Sequence, residues 1–334
     1  MSLASPWQGG METTRSSTRT DRVAAIGLAS WDRFLVLDRS PQPGSYAIVT
    51  HREEQPGGTT SNLCAALCRL GVSVTLAAAV GDDAEGRALI EGLAAEGCDV
   101  RHMRVKRGVP TDACFILVAP SENGTDRTIL WEQGARLQLG DPLPIDELFQ
   151  HDLVVVDVDD PKLRQFIVDL PAHVSPRTQL VGPLVYLTEL KPEHGFHLAL
   201  QHDVIVGNED ELCYLAGTGE LEAAIERLRA LMPLHVTRLA AISRGADGCV
   251  IVTRRDVTPV SAFAVDVVDT TGAGDAFAAG VVYGLLRRWE PARLGRFANA
   301  MGALAVRALG ARAGLPTLAE VEAFIAATEA RSPV

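Results

Sequence analysis

From Val23 onward the chain alternates short apolar runs with longer stretches of helical periodicity. Val23–Leu28, Val74–Val80, Leu153–Val158, Val204–Val206 and Ala240–Ser243 are continuous apolar runs, the form taken by strands buried on both faces. Between them Thr59–Leu70, Asp83–Glu96, Pro161–Leu170, Glu209–Ala216 and Leu221–Leu231 read as helices, and Gly71 and Gly97 stand where left-handed C-caps belong. This rhythm predicts an α/β fold, a mostly parallel central sheet with helices on both faces. Two regions break it. Arg33–Asp38 and Tyr46–Thr50 flank the turn Pro41–Gly44, and Ala113–Ala119 and Arg127–Trp131 flank Ser121–Asp126. A lone hairpin is marginal whereas four strands support one another, so these segments, at 33–50 and 113–131, are predicted to form a small β-sheet lid inserted into the main domain. The alternative is that they are edge strands of the main sheet.

The chain has 334 residues, 47% of them hydrophobic and 22% charged, enough for a sizeable core and incompatible with a collagen-like or wholly disordered chain. Residues 1–20 are rich in Ser, Thr and Gly without an apolar core and read as a disordered leader or a remnant of cloning, and the length of the chain leaves open two domains or one large α/β unit. A net charge of −11 disfavours nucleic acid and anionic membranes as partners and points to a small molecule. The longest nearly unbroken apolar run, Ala276–Leu286, contains Gly280 and Gly284 and is far shorter than the ~20 residues that span a bilayer. Six cysteines occur without a C-x-x-C pair, the pattern of buried thiols in a reducing cytosol, so a cytoplasmic protein without zinc or disulfides is expected.

The densest chemical signal is Asp269-Thr270-Thr271-Gly272-Ala273-Gly274-Asp275, followed at once by the apolar helical run. A Gly-Ala-Gly turn feeding a helix start presents unpaired backbone N–H groups and the positive end of the helix dipole, an anion site. Asp275 in the first turn is either a residue matched to the dipole or a general base beside that site. Spacing alone leaves both readings open.

The heptad 269–275 matches the C-terminal motif of the ribokinase-like sugar kinases, the PfkB carbohydrate kinase family, and further features follow in that family's order. Gly27 and Asp32 sit after the first strand. Gly57-Gly58-Thr59-Thr60-Ser61-Asn62 resembles the family's Gly-Gly-x-x-x-Asn, and Val80-Gly81-Asp82-Asp83-x-x-Gly86 its continuation. Asn208-Glu209-Asp210-Glu211 resembles Asn-x-x-Glu, Ser243-Arg244-Gly245-Ala246-Asp247-Gly248 the Ser/Thr-x-Gly-x-x-Gly turn, and Asn299 lies on the last long helix.

The resemblance implies a domain of ribokinase-like fold over 21–334 and an ATP-dependent phosphotransferase acting on an alcohol. It makes Asp275 the catalytic base, with Gly272, Ala273 and Gly274 as the anion hole. It gives Asp32, Gly57, Gly58 and Asn62 to the sugar, and Asn208, Ser243, Gly245, Gly248 and Asn299 to ATP. Glu211 would hold Mg2+ through water, although Asn208 and Glu211 also fit a helix capping box. Asp269 and Thr271 resemble part of a monovalent-cation loop, with 306–314 as its rough second half, so K+ is a further expectation. No basic residue lies between Gly57 and Asn62, which speaks against an acceptor already carrying a phosphate. The lid segments resemble those of ketohexokinase-type members, but Thr59 stands where they have Asn, so fructose itself is not carried over. The expected reaction is transfer of the γ-phosphate of ATP to a hydroxymethyl group of a ribose-, fructose- or keto-sugar-like acceptor. Alternatives are a nucleoside kinase, for which Trp31 offers a stacking surface, or a silent sugar or nucleotide sensor. A homodimer through lid-strand edges is also expected.

Overall fold

The computed structural model describes residues 22–121, 124–170 and 178–330; the expected leader lies outside them. The strands are β1 (Arg22–Gly27), β2 (Ser30–Leu37), β3 (Val49–Gly57), β4 (Ser73–Gly81), β5 (Asp99–Lys106), β6 (Ala113–Ser121), β7 (Gly124–Glu132), β8 (Leu153–Asp157), β9 (Gln179–Pro183), β10 (Val204–Asn208), β11 (Leu239–Ser243), β12 (Cys249–Thr253) and β13 (Val257–Val260). The helices are α1 (Thr59–Arg69), α2 (Ala84–Ala95), α3 (Ile145–Leu148), α4 (Pro161–Asp169), α5 (Pro192–Ala199), α6 (Glu209–Ala216), α7 (Leu221–Leu231), α8 (Ala273–Leu286), α9 (Pro291–Ala305) and α10 (Leu318–Glu329).

Among the described residues nine strands form one sheet in the order β13-β12-β11-β10-β9-β8-β1-β4-β5. It is parallel from β11 to β5, and β12 and β13 add an antiparallel edge. Alternate residues of β1 serve opposite faces: Ala25 packs into the core that contains α1, α8 and α9, while Ala24 and Ile26 pack into the one that contains α4 to α7. Burial on both faces is why β1 and β8 read as unbroken apolar runs. The same reason accounts for α8, which is apolar all round because α1, α9 and the sheet enclose it. Gly280 and Gly284 let α9 approach at Ala298 and Leu294.

The second sheet has the order β3-β2-β6-β7, two hairpins joined by the parallel pair β2 and β6. This is the expected lid, with one correction. Its second strand is Val49–Gly57 rather than Tyr46–Thr50, because the polar run His51 to Gln55 lies largely exposed and shows no apolar alternation. The lid therefore runs directly into the Gly57-Gly58 turn, and Asp32 lies on a lid strand. β5, β9, β12 and β13 are additional strands that the apolar pattern did not predict.

Candidate active site

The C-terminal ends of the parallel strands, the N-termini of α1, α6 and α8, and the inner face of the lid enclose a cleft of about 1130 Å³. That is ample for a nucleotide and a small sugar together.

At the lid end, Asp32 is paired with Gln55 across β2 and β3, and Ser30 with Gly57. A Cβ on Gly57 would fall 2.1 Å from the Asp32 carboxyl carbon, so the glycine makes room for that side chain. Asp32 is only 5% exposed. Burial pushes its carboxyl up to about 7, against the pull of Arg312 and a hydrogen bond from Ser30. Asn62, in the first turn of α1, donates from Nδ2 to Asp275 Oδ2 at 2.9 Å and accepts at Oδ1 from Arg312 Nε at 2.9 Å.

Asp275 sits in the first turn of α8. The turn is built on Gly272, whose φ of 76° lies in the left-handed region and whose α-carbon packs against Ala311. Ala273 N–H closes the turn on the Thr270 carbonyl at 3.3 Å and Ala276 N–H donates to the Gly272 carbonyl at 2.9 Å, while the first-turn N–H groups of Gly274 and Asp275 between them have no carbonyl four residues back in the helix. A Cβ on Gly274 would meet nothing within 4 Å, so the helix start opens onto the cleft. Burial raises the Asp275 carboxyl to about 7, with Asp157 and Asp32 adding to the rise and Asn62 and Arg127 opposing it. A carboxylate poised near neutrality beside an anion site has the properties of a general base.

Four side chains that the sequence reading missed complete this end. Arg127, on β7 of the lid, lines the cleft and donates to Thr271 Oγ1 at 3.1 Å. Asp157, at the end of β8, accepts at Oδ2 from Thr59 Oγ1 at 2.6 Å and Thr60 Oγ1 at 2.9 Å. Tyr186 places its hydroxyl 3.2 Å from Thr59 Oγ1 and its ring beside Trp131 of the lid. Arg312 stands behind Asn62. Of the four, only Asp157 carried a signal, a lone carboxylate closing an apolar strand.

Asp269 does not reach the cleft wall. Its Oδ1 accepts from Thr271 N and Oγ1 at 3.0 and 2.9 Å, and its Oδ2 from Gly310 N at 2.8 Å. The carboxylate thus staples the loop before α8 to the loop after α9. Gly57 also stands behind the wall, whereas Gly58 and Asn62 line it.

At the other end, Asn208 and Glu211 form the reciprocal capping box of α6, with Glu211 N donating to Asn208 Oδ1 at 2.8 Å and Asn208 N to Glu211 Oε2 at 3.0 Å. They line the cleft as well, so capping and ligand contact are not exclusive. Burial pushes Glu211 up to about 7, and Asp157 and Asp210 add to the rise against the Asn208 N–H. Ser243, Gly245 and Gly248 border the cleft beyond it. Asn299 lines the cleft too, but both its donated bonds, 3.0 Å each, go to the carbonyls of Val260 and Ser261. It shapes the loop that follows β13. Trp31, by contrast, is not on the cleft wall; it packs against the core and donates Nε1 to Glu54 at 3.3 Å.

Residues 20–318 match the family model described as pfkB family carbohydrate kinase. The chain belongs to that family. This kinase is 30% identical to the ATP-dependent ribose-1-phosphate kinase of Halopiger xanaduensis over 308 residues, 91% of this chain and 98% of the relative. It is 27% identical to the ribokinase of Bacillus subtilis, over 91% of this chain and 99% of the relative. Its fold superposes on a putative ribokinase from Agrobacterium tumefaciens with a TM-score of 0.81 at 22% identity, covering 94% of this chain and 100% of that one. The kinase is an ATP-dependent phosphotransferase with an alcohol acceptor, and its fold is the ribokinase-like one.

Proposed function

We propose that this kinase transfers the γ-phosphate of Mg–ATP to a hydroxymethyl group of a small unphosphorylated sugar, with Asp275 as the base. One observation carries the reading: the Asp275 carboxylate is held by Asn62 at 2.9 Å in the first turn of a helix that opens onto the cleft. Asp32 and the free valences of Asn62 bind sugar hydroxyls, a pairing suited to a polyol. Asp275 accepts the proton of the attacking hydroxyl. The hydroxyl oxygen of the acceptor forms the new bond to phosphorus as the bond to the ADP oxygen breaks, and the helix N-terminus and Arg127 neutralise the charge in transit. Ser243, Gly245, Gly248 and the loop held by Asn299 receive the nucleotide.

The hard oxygen donors of Asn208, Asp210 and Glu211, facing one cleft, fit a hydrated Mg2+, and burial of Glu211 favours a cation beside it. When bound, the metal neutralises phosphate oxygens. Main-chain oxygens near Asp269 and Thr271 and in 306–314 remain the proposed K+ site, since the Asp269 carboxylate is already engaged. Equal turnover in choline and potassium buffers would exclude it. The same proposal places the enzyme in the cytoplasm, where its six free thiols stay reduced, as a dimer through lid edges. A one-chain sedimentation mass would rule the dimer out.

Arg127 supports a second reading, an acceptor that already bears a phosphate, because it brings to the cleft the cation that the segment Gly57 to Asn62 lacks. The deciding experiment measures ADP release with ribose, fructose, 2-keto-3-deoxygluconate, ribose 1-phosphate, fructose 6-phosphate, adenosine and inosine. The first reading expects an unphosphorylated sugar to lead. A sugar phosphate or a nucleoside in first place would replace it, and silence with ATP bound would favour a sensor.

A further inference from the structure

Arg312 is 8% exposed and lies in the loop after α9, off the cleft wall. Its guanidinium nevertheless reaches the N-terminus of α1. Nε donates to Asn62 Oδ1 at 2.9 Å, and Nη2 donates to Ser61 Oγ at 2.7 Å and approaches the Gly57 carbonyl at 3.5 Å. The loop that carries it is anchored, because Arg69 Nη1 donates to the carbonyls of Arg312 and Leu315 at 2.9 Å each while Arg69 pairs with Glu96.

A carboxamide is nearly symmetric in shape but not in chemistry. A guanidinium only donates, so the atom of Asn62 that faces Arg312 must be oxygen, and the atom that faces Asp275 must then be nitrogen. With the amide reversed, a carbonyl oxygen would meet the Asp275 carboxylate, and that contact is favourable only while Asp275 keeps a proton. A protonated Asp275 cannot accept another. Arg312, Asn62 and Asp275 thus form a chain in which a buried cation behind the cleft wall decides which end of an amide the base sees.

We propose that Arg312 is a positioning residue for phosphoryl transfer, fixing the orientation of Asn62 so that Asp275 is ionised and ready at neutral pH. The inference rests on the reading of Asp275 as the base. Other charged groups act on the same sites: Asp157, Asp32 and Arg127 face Asp275, and Asp32, Glu96, Cys64 and Arg69 surround Arg312.

The test follows the Asp275 carboxyl by carbon NMR in the ligand-free protein labelled at aspartate, its signal assigned by its absence in Asp275→Asn. In Arg312→Met the titration midpoint should rise by about one pH unit, a tenfold gain in proton affinity. In Arg312→Lys, which still only donates, it should stay near the wild-type value. Should Arg312→Met fail to fold, Arg312→Gln carries the test, with a smaller rise because its amide still offers a donor. A midpoint unmoved in the neutral variant overturns the proposal, as does an equal shift in Arg312→Lys. Phosphoryl transfer, read as kcat/KM against pH with the leading acceptor of the panel, should show its acid limb displaced in the same order. A purely structural role would instead lower the whole profile in every variant. Normal turnover by Asp275→Asn would refute the base and leave the titration result standing, so the two failures are distinguishable.

Discussion

The two ends of the cleft differ in how their polar groups are engaged. At the proposed nucleotide end the cleft is bordered by the turn from Gly245 to Gly248 and the loop after β13, and Asn208 and Asn299 direct polar atoms at neighbouring backbone while Asp210 and Glu211 line the same wall. At the proposed acceptor end three carboxyls gather, Asp32, Asp157 and Asp275, steadied by Asn62, Arg127, Thr59 and Thr60. These carboxyls pay for burial with raised proton affinity. In the proposed reading three such carboxyls stand at the acceptor end against Glu211 at the other, so acceptor selectivity resides where buried charge is most concentrated.

Substitutions at the two ends should have separable kinetic effects. Asp32→Ala removes the carboxylate proposed to hold the acceptor and should lower kcat/KM for the sugar by on the order of 10²–10³ while leaving the KM for ATP unchanged. A comparable change in both would erase the distinction. Arg127→Gln should lower kcat by on the order of 10² with little change in acceptor KM, as expected for a donor that acts on charge in transit. A rise confined to acceptor KM would move Arg127 to the acceptor and support the phosphorylated-substrate reading. Asn299→Ala frees the Val260 and Ser261 carbonyls and should raise the ATP KM about tenfold, with the acceptor KM unmoved.

The smallest effect is on stability. The Asp275 carboxyl is at 3.8 in its ordinary state and at about 7 in the fold, so between these values the folded protein keeps a proton that the unfolded chain loses. Stability contributed by the site is thus full below pH 4, declines as pH rises towards 7, and stays lowered above it. Asp275→Asn should accordingly raise the melting temperature at pH 8 more than at pH 4, by differential scanning calorimetry. An equal shift at both pH values would show that the buried charge is not costly.

Much of this was legible in the order of residues, for reasons that differ by region. Strands buried on both faces advertise themselves, and so does the Gly-Ala-Gly turn into an apolar helix. Strand β3 did not, because its polar face is turned to solvent and its pairing with β2 is what makes it a strand. Nor did β12 and β13, short antiparallel additions at the edge. Asp275 and Asn62 were found through local motifs, whereas Arg127 reaches Thr271 and Arg312 reaches Asn62 across sequence separations of 144 and 250 residues respectively. No local pattern marks an arginine whose partner is that remote. Asn208 and Glu211 show the converse, a pair for which capping and ligand contact were opposed in sequence and coexist in space.

The measurement closest to the central claim compares ADP release by wild type and Asp275→Ala with the leading acceptor, alongside thermal shifts with ATP and with that acceptor. The account predicts that turnover falls by at least ~10²–10⁴ while both ligands still stabilise the variant. Turnover that survives the loss of the carboxylate would contradict it.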